Sequence, residues 1–308
     1  MPSRLIELIA PSGYPPDARR VSRAVERLRA AGHVIVSEER ARRKFQRFCG
    51  TDAERLGDIN LLGDAEREPA DIALTVRGGY GLTRLLADVD YEKIARSLRV
   101  RPTLLAGHSD FTALQLALLA EAGAVTFSGP MLCADFGAEV LSGFTWKNFW
   151  RALEAPEVEY FWADESLSAA VTVSGTLWGG NLAMVCSLLG TRYFPNVNGG
   201  ILFVEDVNEP PFRVERLLYQ LHLSGVLRRQ RALVLGVFSA CGTVEYDNGY
   251  GLPAVVGQLR RVAGIPIVSG LPFGHCADKV TLPVGADGEL RCRDGQVVLR
   301  VSGYPWLR

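Results

Sequence analysis

The stretch TLLAGHSDFTALQLALLAEAGAVTFS, residues 103–128, carries the strongest evidence for the fold class of this chain. It begins with an apolar run at 103–106 that is typical of a buried strand. After a short polar turn, apolar residues recur at helical spacing from Leu114 to Ala122, and a second apolar run follows at 124–127. The order of strand, helix and strand predicts parallel strands joined by a helix.

The same alternation extends toward the amino terminus. Strands are predicted at 5–9, 33–36 and 71–76, a helix at 17–31, and a further helix that opens at the capping box Thr51-Asp-Ala-Glu54. Repeated units of this kind indicate an α/β fold in which helices cover both faces of a parallel sheet.

The pattern changes after about residue 137. A short helix at 146–153 precedes an acidic, irregular segment that we interpret as a linker. Strands are then predicted at 169–173, 200–204, 232–238 and 265–268, with a helix at about 212–225 and a closing hairpin within 279–301. These features predict an α/β domain at 1–153, a linker at 154–168 and a second domain, richer in strands, at 169–308.

The composition argues against several classes of protein. The 308 residues carry 34 Lys and Arg against 34 Asp and Glu, so the basic excess of a nucleic-acid-binding protein is missing. No apolar run approaches the roughly 18 residues of a membrane span, and the first residues do not follow a signal-peptide pattern. The six cysteines contain no Cys-x-x-Cys pair, so we expect reduced thiols in a cytoplasmic protein without a zinc site.

Gly107-His108-Ser109-Asp110 is the sharpest local signal for chemistry. It lies between a predicted strand and a predicted helix, the setting of a nucleophile elbow, although Phe111 replaces the usual second glycine. Free backbone N–H groups in the first turn of the helix can stabilise an oxyanion. The alternative is that Ser109 or Asp110 only caps the helix.

A glycine-rich loop, Arg77-Gly-Gly-Tyr-Gly81, follows the preceding strand. Glycines there let the backbone approach a ligand or another loop closely. The loop is either a plain tight turn or a source of a second oxyanion N–H beside Ser109.

A serine nucleophile needs a base, and four histidines are available. His33 begins an early strand, His222 lies within a helix, and the side chain of His108 should diverge from the adjacent Ser109. His275 remains, in a loop rich in glycine and proline where catalytic residues collect, unless it is a structural loop histidine.

The acid that orients the base should also follow a strand. Glu205 and Asp206 end the predicted strand at 200–204, with Glu209 close behind. The pattern of residues does not choose between Glu205 and Asp206, and either can instead be a solvated loop carboxylate or a helix cap.

Taken together, these motifs resemble the LD-carboxypeptidases of serine peptidase family S66, the muramoyltetrapeptide carboxypeptidase type. The resemblance covers nearly the whole chain, and its motifs occur in the order of that family. They are Ala10-Pro-Ser-Gly13, Arg77-Gly-Gly-Tyr-Gly81, Gly107-His-Ser-Asp110, Gly129-Pro-Met131, Gly179-Gly-Asn-Leu182, Leu202-Phe-Val-Glu-Asp206 and Gly274-His275. His108 departs from the family pattern, where an aromatic residue is common, and Ser128 stands where histidine is common.

The resemblance implies a flavodoxin-like amino-terminal domain and a smaller mixed β/α carboxyl-terminal domain. It implies a triad of Ser109, Glu205 and His275, with the first residue from one domain and the other two from the second. It also places the oxyanion hole on two backbone N–H groups. Those groups belong to Gly79 and Asp110, and the candidate substrate contacts are Arg77, Trp178 and Asn181.

The implied function is hydrolysis of an L,D-peptide bond that releases terminal D-alanine from a murein tetrapeptide during cell-wall recycling. No metal or organic cofactor is expected, and neither nucleic acid nor membrane is an expected partner, whereas a homodimer is left open. One alternative is a hydrolase of an aminoacyl-nucleotide, the microcin C7 self-immunity type, which an aromatic residue at the pocket such as Trp178 would favour. The other is a flavodoxin-like binding protein without catalytic activity.

Overall fold

The computed structural model describes residues 2–167 and 170–308. The amino-terminal half forms a parallel sheet of β1 (Leu5–Ile9), β2 (Val34–Val36), β3 (Ile72–Thr75), β4 (Leu104–Gly107) and β5 (Thr126–Ser128). Their spatial order, β5-β4-β3-β1-β2, is the flavodoxin order. The predicted fold class is therefore confirmed.

Helices cover this sheet. They are α1 (Ala18–Ala30), α2 (Asp52–Asn60), α3 (Tyr91–Val100), α4 (Thr112–Ala122) and α5 (Gly143–Glu154). The capping box of α2 forms as predicted, because the Glu54 N–H donates to Thr51 Oγ1 and the Thr51 N–H donates to Glu54 Oε2. The first seven residues of α4 are all buried, since this helix packs between the first sheet and the second half of the chain.

The second half of the chain supplies most of a second sheet and the helices that pack on it. Its strands are β7 (Val171–Asn181), β8 (Ile201–Val207), β9 (Ala232–Ser239), β10 (Ile267–Val268), β11 (Leu282–Val284), β12 (Asp287–Arg293) and β13 (Gln296–Ser302). Its helices are α6 (Leu182–Ser187), α7 (Pro211–Leu223) and α8 (Leu252–Val262). β7 to β10 are parallel neighbours, whereas β12 and β13 are antiparallel, so the second sheet is mixed.

The prediction of an irregular linker at 154–168 is wrong for its central residues, which form a strand. Residues Glu157–Ala163 form β6, which pairs with β13 at the edge of the second sheet. Val158 and Tyr160 are buried, while the acidic residues between and before them face outward, which is the alternation of a half-buried strand. Residues 168 and 169, where the predicted linker meets the second predicted domain, lie outside the described residues.

One strand of the second half belongs to the first sheet. β11 pairs antiparallel with β5, with Leu282 opposite Ser128, and extends the sheet beyond β5. Pro283 is tolerated there because β11 is an edge strand and needs no further N–H donor on its open side. The hairpin predicted within 279–301 is in fact limited to β12 and β13.

The two halves of the chain approach each other closely at the start of α4. A Cβ at Gly180, in β7, would lie 2.5 Å from the Thr112 hydroxyl oxygen, and the Asn181 N–H donates to that oxygen at 3.1 Å. Glycine at position 180 therefore lets the end of β7 reach the turn that follows β4. Among the described residues, no helix is long and apolar enough to cross a membrane.

Candidate active site

Ser109 lies at the turn between β4 and α4. Its φ of 66° is in the left-handed region, which residues other than glycine adopt at a conformational cost. Gly107 permits the tight turn, because a Cβ at that position would lie 2.5 Å from the Thr75 hydroxyl oxygen. Ser109 is half-buried, whereas His108 and Asp110 on either side of it are buried. This geometry is that of a nucleophile elbow.

The glycine loop that follows β3 packs directly against Ser109. A Cβ at Gly78 would lie 2.7 Å from Ser109 Cβ and 3.4 Å from the backbone nitrogen of Asp110, so glycine is needed for this approach. Gly79 follows with a φ of 112°. The glycine loop thus meets the elbow at Gly78, directly before Gly79 and next to the backbone of Asp110.

Ser109, His275 and Glu205 form a hydrogen-bonded chain. The distance from Ser109 Oγ to His275 Nε2 is 3.0 Å, and that from His275 Nδ1 to Glu205 Oε2 is 2.7 Å. The Glu205 side chain is fully buried, while 21% of the His275 side chain is exposed. In such a chain the imidazole can take the serine proton, and the buried carboxylate can stabilise the resulting imidazolium.

Glu205 and Asp206 have different surroundings. The Asp206 carboxylate accepts hydrogen bonds from the backbone N–H groups of Ala183 and Val207 and from the side-chain amide of Asn181. Burial raises the pKa of Asp206. Glu205 is therefore the member of the pair that meets His275, and Asp206 holds the start of α6 to β8.

The loop that carries His275 is fitted around Glu205. Gly274 has a φ of 142°, and a Cβ there would lie 2.7 Å from Val237 O and 3.1 Å from Glu205 Oε2. The Ser239 hydroxyl donates to the His275 carbonyl at 2.7 Å. These contacts fix the backbone of His275 at the ends of β8 and β9.

Two of the three candidate substrate contacts, Trp178 and Asn181, are buried. The Trp178 indole is buried, donates to Gln230 Oε1 at 2.9 Å and packs edge-on against Phe194, so its prediction as a pocket residue is wrong. Asn181 is 6% exposed and donates to Glu205 Oε1 at 3.3 Å, behind the acid. It is placed to orient Glu205, and a contact with substrate stays a prediction.

Arg77, the third candidate, lies against the loops beside Ser109. Its guanidinium donates to Tyr14 O at 3.1 Å and is close to Gly79, since a Cβ at Gly79 would lie 3.3 Å from Nη1. The arginine thus braces the glycine loop, and a contact with substrate stays a prediction.

The side chain of Asp110 has a structural role that the sequence did not indicate. Its Oδ2 accepts hydrogen bonds from the Ser12 hydroxyl at 2.7 Å and from the Leu82 N–H at 3.1 Å. Burial raises the pKa of this carboxyl group. Asp110 thereby joins the loops of Ser12 and Leu82 to the elbow. The motif Ala10-Pro-Ser-Gly13 was the sequence signal from which a role for Ser12 at the site could have been predicted.

A cavity of about 310 Å³ adjoins His275 and is called the His275 cavity below. Its walls are formed by His108 and by residues drawn from the segments 134–145 and 275–279, in which Val140 and Leu141 contribute apolar surface. Asp135 and Lys279 line it as a buried ion pair, with Lys279 Nζ 2.5 Å from Asp135 Oδ1. Sequence reasoning missed this pair, because its members are far apart in the chain and match no motif.

His108 forms part of the wall of the His275 cavity. Its Nδ1 lies 2.8 Å from Gly129 O, and since a carbonyl can only accept, this nitrogen carries the proton. Burial, the nearby Lys279 ammonium and His275 hold the pKa of His108 well below its ordinary value. The imidazole is therefore neutral, and its Nε2 is a hydrogen-bond acceptor.

Comparisons with known proteins show the family to which the chain is similar. The LD-carboxypeptidase N-terminal domain model matches residues 6–129, and the LD-carboxypeptidase C-terminal domain model matches residues 174–290. The first match contains Ser109 and the glycine loop, and the second contains Glu205 and His275. The two models together cover most of the chain.

Individual relatives match over most of the chain. A "probable murein peptide carboxypeptidase" of Bacillus subtilis is 29% identical, over 96% of this chain and 92% of that protein. The crystal structure of muramoyltetrapeptide carboxypeptidase from Oxalobacter formigenes matches with a TM-score of 0.89 and 44% identity, over 98% of this chain and 99% of that one. The microcin C7 self-immunity protein MccF of Escherichia coli is 27% identical, over 86% of this chain and 83% of that protein. The chain therefore belongs to the LD-carboxypeptidase family, peptidase family S66.

Proposed function

We propose that this protein is a serine carboxypeptidase that cleaves an L,D-peptide bond and releases terminal D-alanine from murein tetrapeptides in the cytoplasm. The observation that carries the proposal is the hydrogen-bonded chain of Ser109, His275 and Glu205. Similarity to a murein peptide carboxypeptidase and to a muramoyltetrapeptide carboxypeptidase supports the choice of substrate.

In the proposed mechanism, Ser109 Oγ attacks the scissile carbonyl carbon while His275 Nε2 takes the hydroxyl proton. Glu205 keeps Nδ1 of His275 protonated and stabilises the imidazolium. The tetrahedral intermediate collapses when His275 returns the proton to the leaving amine. Water, activated by the same imidazole, then hydrolyses the acyl-enzyme and regenerates Ser109. These steps use neither a metal nor an organic cofactor.

The carbonyl oxygen becomes an oxyanion during the attack and needs hydrogen-bond donors. We assign this role to the backbone N–H groups of Gly79 and Asp110, because the glycine loop and the elbow meet at Ser109. Fixed donors of this kind stabilise charge that develops only in the transition state, and each is typically worth about 10²–10³ in kcat.

The proposed reaction predicts a strict order of activity on three peptides. The L,D tetrapeptide should be cleaved, its all-L diastereomer should be left intact, and its C-terminal amide should react slowly. A fixed elbow and oxyanion hole define one direction of attack, so inversion of the last residue exchanges its side chain and its carboxylate. A site that binds a polar group can reject an analogue without it by roughly 10⁴. Mass spectrometry of timed digests measures all three rates.

Comparable rates on the three peptides would contradict the assignment. An aminoacyl-adenylate analogue belongs in the same panel, because solved relatives include the self-immunity protein MccF in complex with aspartyl sulfamoyl adenosine. Activity confined to that analogue would favour the aminoacyl-nucleotide hydrolase instead. With Trp178 buried, the aromatic residue considered for stacking on its base is not available at the site.

The substitution Gly78→Ala should lower kcat/KM by about 10², because the added methyl group meets Ser109 Cβ at 2.7 Å and displaces the loop from the nucleophile. Steady-state kinetics and thermal melting of the variant test this. Gly57→Ala is the matched control, since Gly57 lies exposed in α2 with open space around its Cα. We expect the control to keep wild-type activity and to melt slightly higher. Wild-type kcat/KM in Gly78→Ala would contradict the close packing of loop and elbow.

A further inference from the structure

The His275 cavity adjoins the proposed general base, and in the proposed reaction the leaving group must pass that residue. The scissile oxygen turns toward the loop of Gly78 and Gly79, and the leaving nitrogen must face His275 Nε2 to be protonated. Atoms beyond that nitrogen therefore extend past His275. The walls of the cavity come from the segments 134–145 and 275–279 and from His108. They include His275 itself and no residue of the glycine loop.

Most polar side chains of this cavity already have partners within the protein. The Ser142 hydroxyl donates to Asp278 Oδ1, and the Thr145 hydroxyl donates to the Ala277 carbonyl. Asp135 accepts hydrogen bonds from the Met131 N–H on one oxygen and from Lys279 on the other. These groups have little capacity left for a ligand.

Lys279 is the exception. Its side chain is 2% exposed, and within the described part of the chain its ammonium group has one hydrogen-bond partner, Asp135. An ammonium group carries three N–H donors, so two of them remain for a ligand. A largely buried cation with unused donors favours an anionic group, because water screens the charge less there than at the surface.

His108 adds a complementary group on the same wall. Its Nε2 is an acceptor, as the proton is on Nδ1, and its ring centroid lies 4.9 Å from that of His275. The cavity therefore offers a positively charged hydrogen-bond donor, Lys279, and a neutral acceptor, His108, next to the proposed general base. An amino acid presents the matching pair, a carboxylate and an amine.

We propose that the His275 cavity receives the residue released by hydrolysis and that the Lys279 ammonium binds its free α-carboxylate, with His108 Nε2 accepting a hydrogen bond from its amine. The inference rests on the proposed carboxypeptidase function and adds the residue that makes the enzyme specific for the end of a chain. Asp135 holds the ammonium in place and so acts as a positioning residue.

The test compares two substrates on each variant. The L,D tetrapeptide and its C-terminal amide are assayed with the wild type, with Lys279→Met and with Lys147→Met, which makes the same change at an exposed position of α5. The readout is the ratio of kcat/KM for the acid to that for the amide. We expect Lys279→Met to lower this ratio by about 10², because kcat/KM falls for the acid and not for the amide. Lys147→Met should leave the ratio unchanged.

Removal of Lys279 alone leaves Asp135 buried without its counter-ion, which can prevent folding. The double variant Lys279→Met/Asp135→Asn removes both charges and is assayed in the same way. Calorimetry in a Ser109→Ala background then measures binding of the acid and the amide without turnover, and the same loss of preference is expected when Lys279 is replaced.

The outcomes separate the two proposals. If the wild type cleaves neither peptide, the proposed function fails, and the subsite fails with it. If the wild type prefers the acid and that preference survives in the Lys279 variants, only the subsite is wrong, and the ion pair is structural. A wild type that cleaves acid and amide equally would also overturn the role of Lys279.

Discussion

Replacing Ser109 with alanine is expected to reduce kcat by about 10⁶, the usual cost of removing a triad nucleophile. The variant should fold normally, because the substitution only deletes the hydroxyl that hydrogen-bonds His275 and adds no volume against Gly78. Release of D-alanine from the tetrapeptide and thermal melting together test the expectation. Ser187→Ala, at an exposed position of α6, is the matched control and should behave as the wild type.

A covalent label gives an independent measurement of the same prediction. A serine-directed phosphonate should add one adduct to the wild type at Ser109 and none at that position in Ser109→Ala, as seen by peptide mass spectrometry. If Ser109→Ala kept a tenth of the wild-type rate, Ser109 would be a helix-capping residue and the serine mechanism would be rejected. Failure of the phosphonate to label the wild type would favour a binding protein.

The second large effect is expected at Glu205. Glu205→Gln keeps the shape of the side chain but replaces a carboxylate that accepts the His275 Nδ1–H with an amide that can present a donor instead. The histidine then loses both its tautomer and the charge that stabilises the imidazolium, and kcat should fall by about 10⁴. Steady-state kinetics on the tetrapeptide measures the loss, and thermal melting shows whether the fold survives.

Asp206→Asn is the matched control for Glu205→Gln. The Asp206 carboxylate receives the N–H groups of Ala183 and Val207, and an amide cannot accept both as well, so stability should fall while kcat changes far less. Equal, mild losses of activity in the two variants would reject Glu205 as the orienting acid.

The first sheet could be predicted from the sequence because its signals are local. Each strand is a short apolar run with a turn at its end, and each helix has its own periodicity and cap, as at Thr51 and Glu54. β6 and β11 were missed for different reasons. In β6 the acidic residues obscure the alternation of apolar and polar positions. β11 is only three residues long, and it is recognised as a strand of the first sheet only from its pairing with β5.

The choice between Glu205 and Asp206 needed the structure. Neighbouring residues of a strand point to opposite faces, so the identity of the acid depends on the register of β8. The pairing of β8 with β9 is irregular between Val204 and Asp206, at the acid itself. A bulge of this kind changes the direction in which side chains point, and this change cannot be predicted from the sequence of the strand alone.

The substrate contacts show the same limit. Asn181 belongs to a motif beside the site and Trp178 directly precedes that motif, yet the side chains of both are buried in the protein. Lys279 lies within no recognised motif, and only the folded chain brings it to Asp135 and the His275 cavity. Motif position thus predicted the hydrogen-bonded chain at Ser109 but not the residues that surround it.

The pairing of β11 with β5 also has a consequence for the synthesis of the protein. Domains usually begin to fold from the amino terminus while the rest of the chain is still being translated. In this protein β5 is an unpaired edge of the first sheet until residues 282–284 emerge from the ribosome. Such an edge can pair with a strand of another chain. His275 lies just ahead of β11, so the nascent polypeptide acquires its proposed general base and its last edge strand almost together. The newly made enzyme should therefore gain activity only at the end of translation, in one late step.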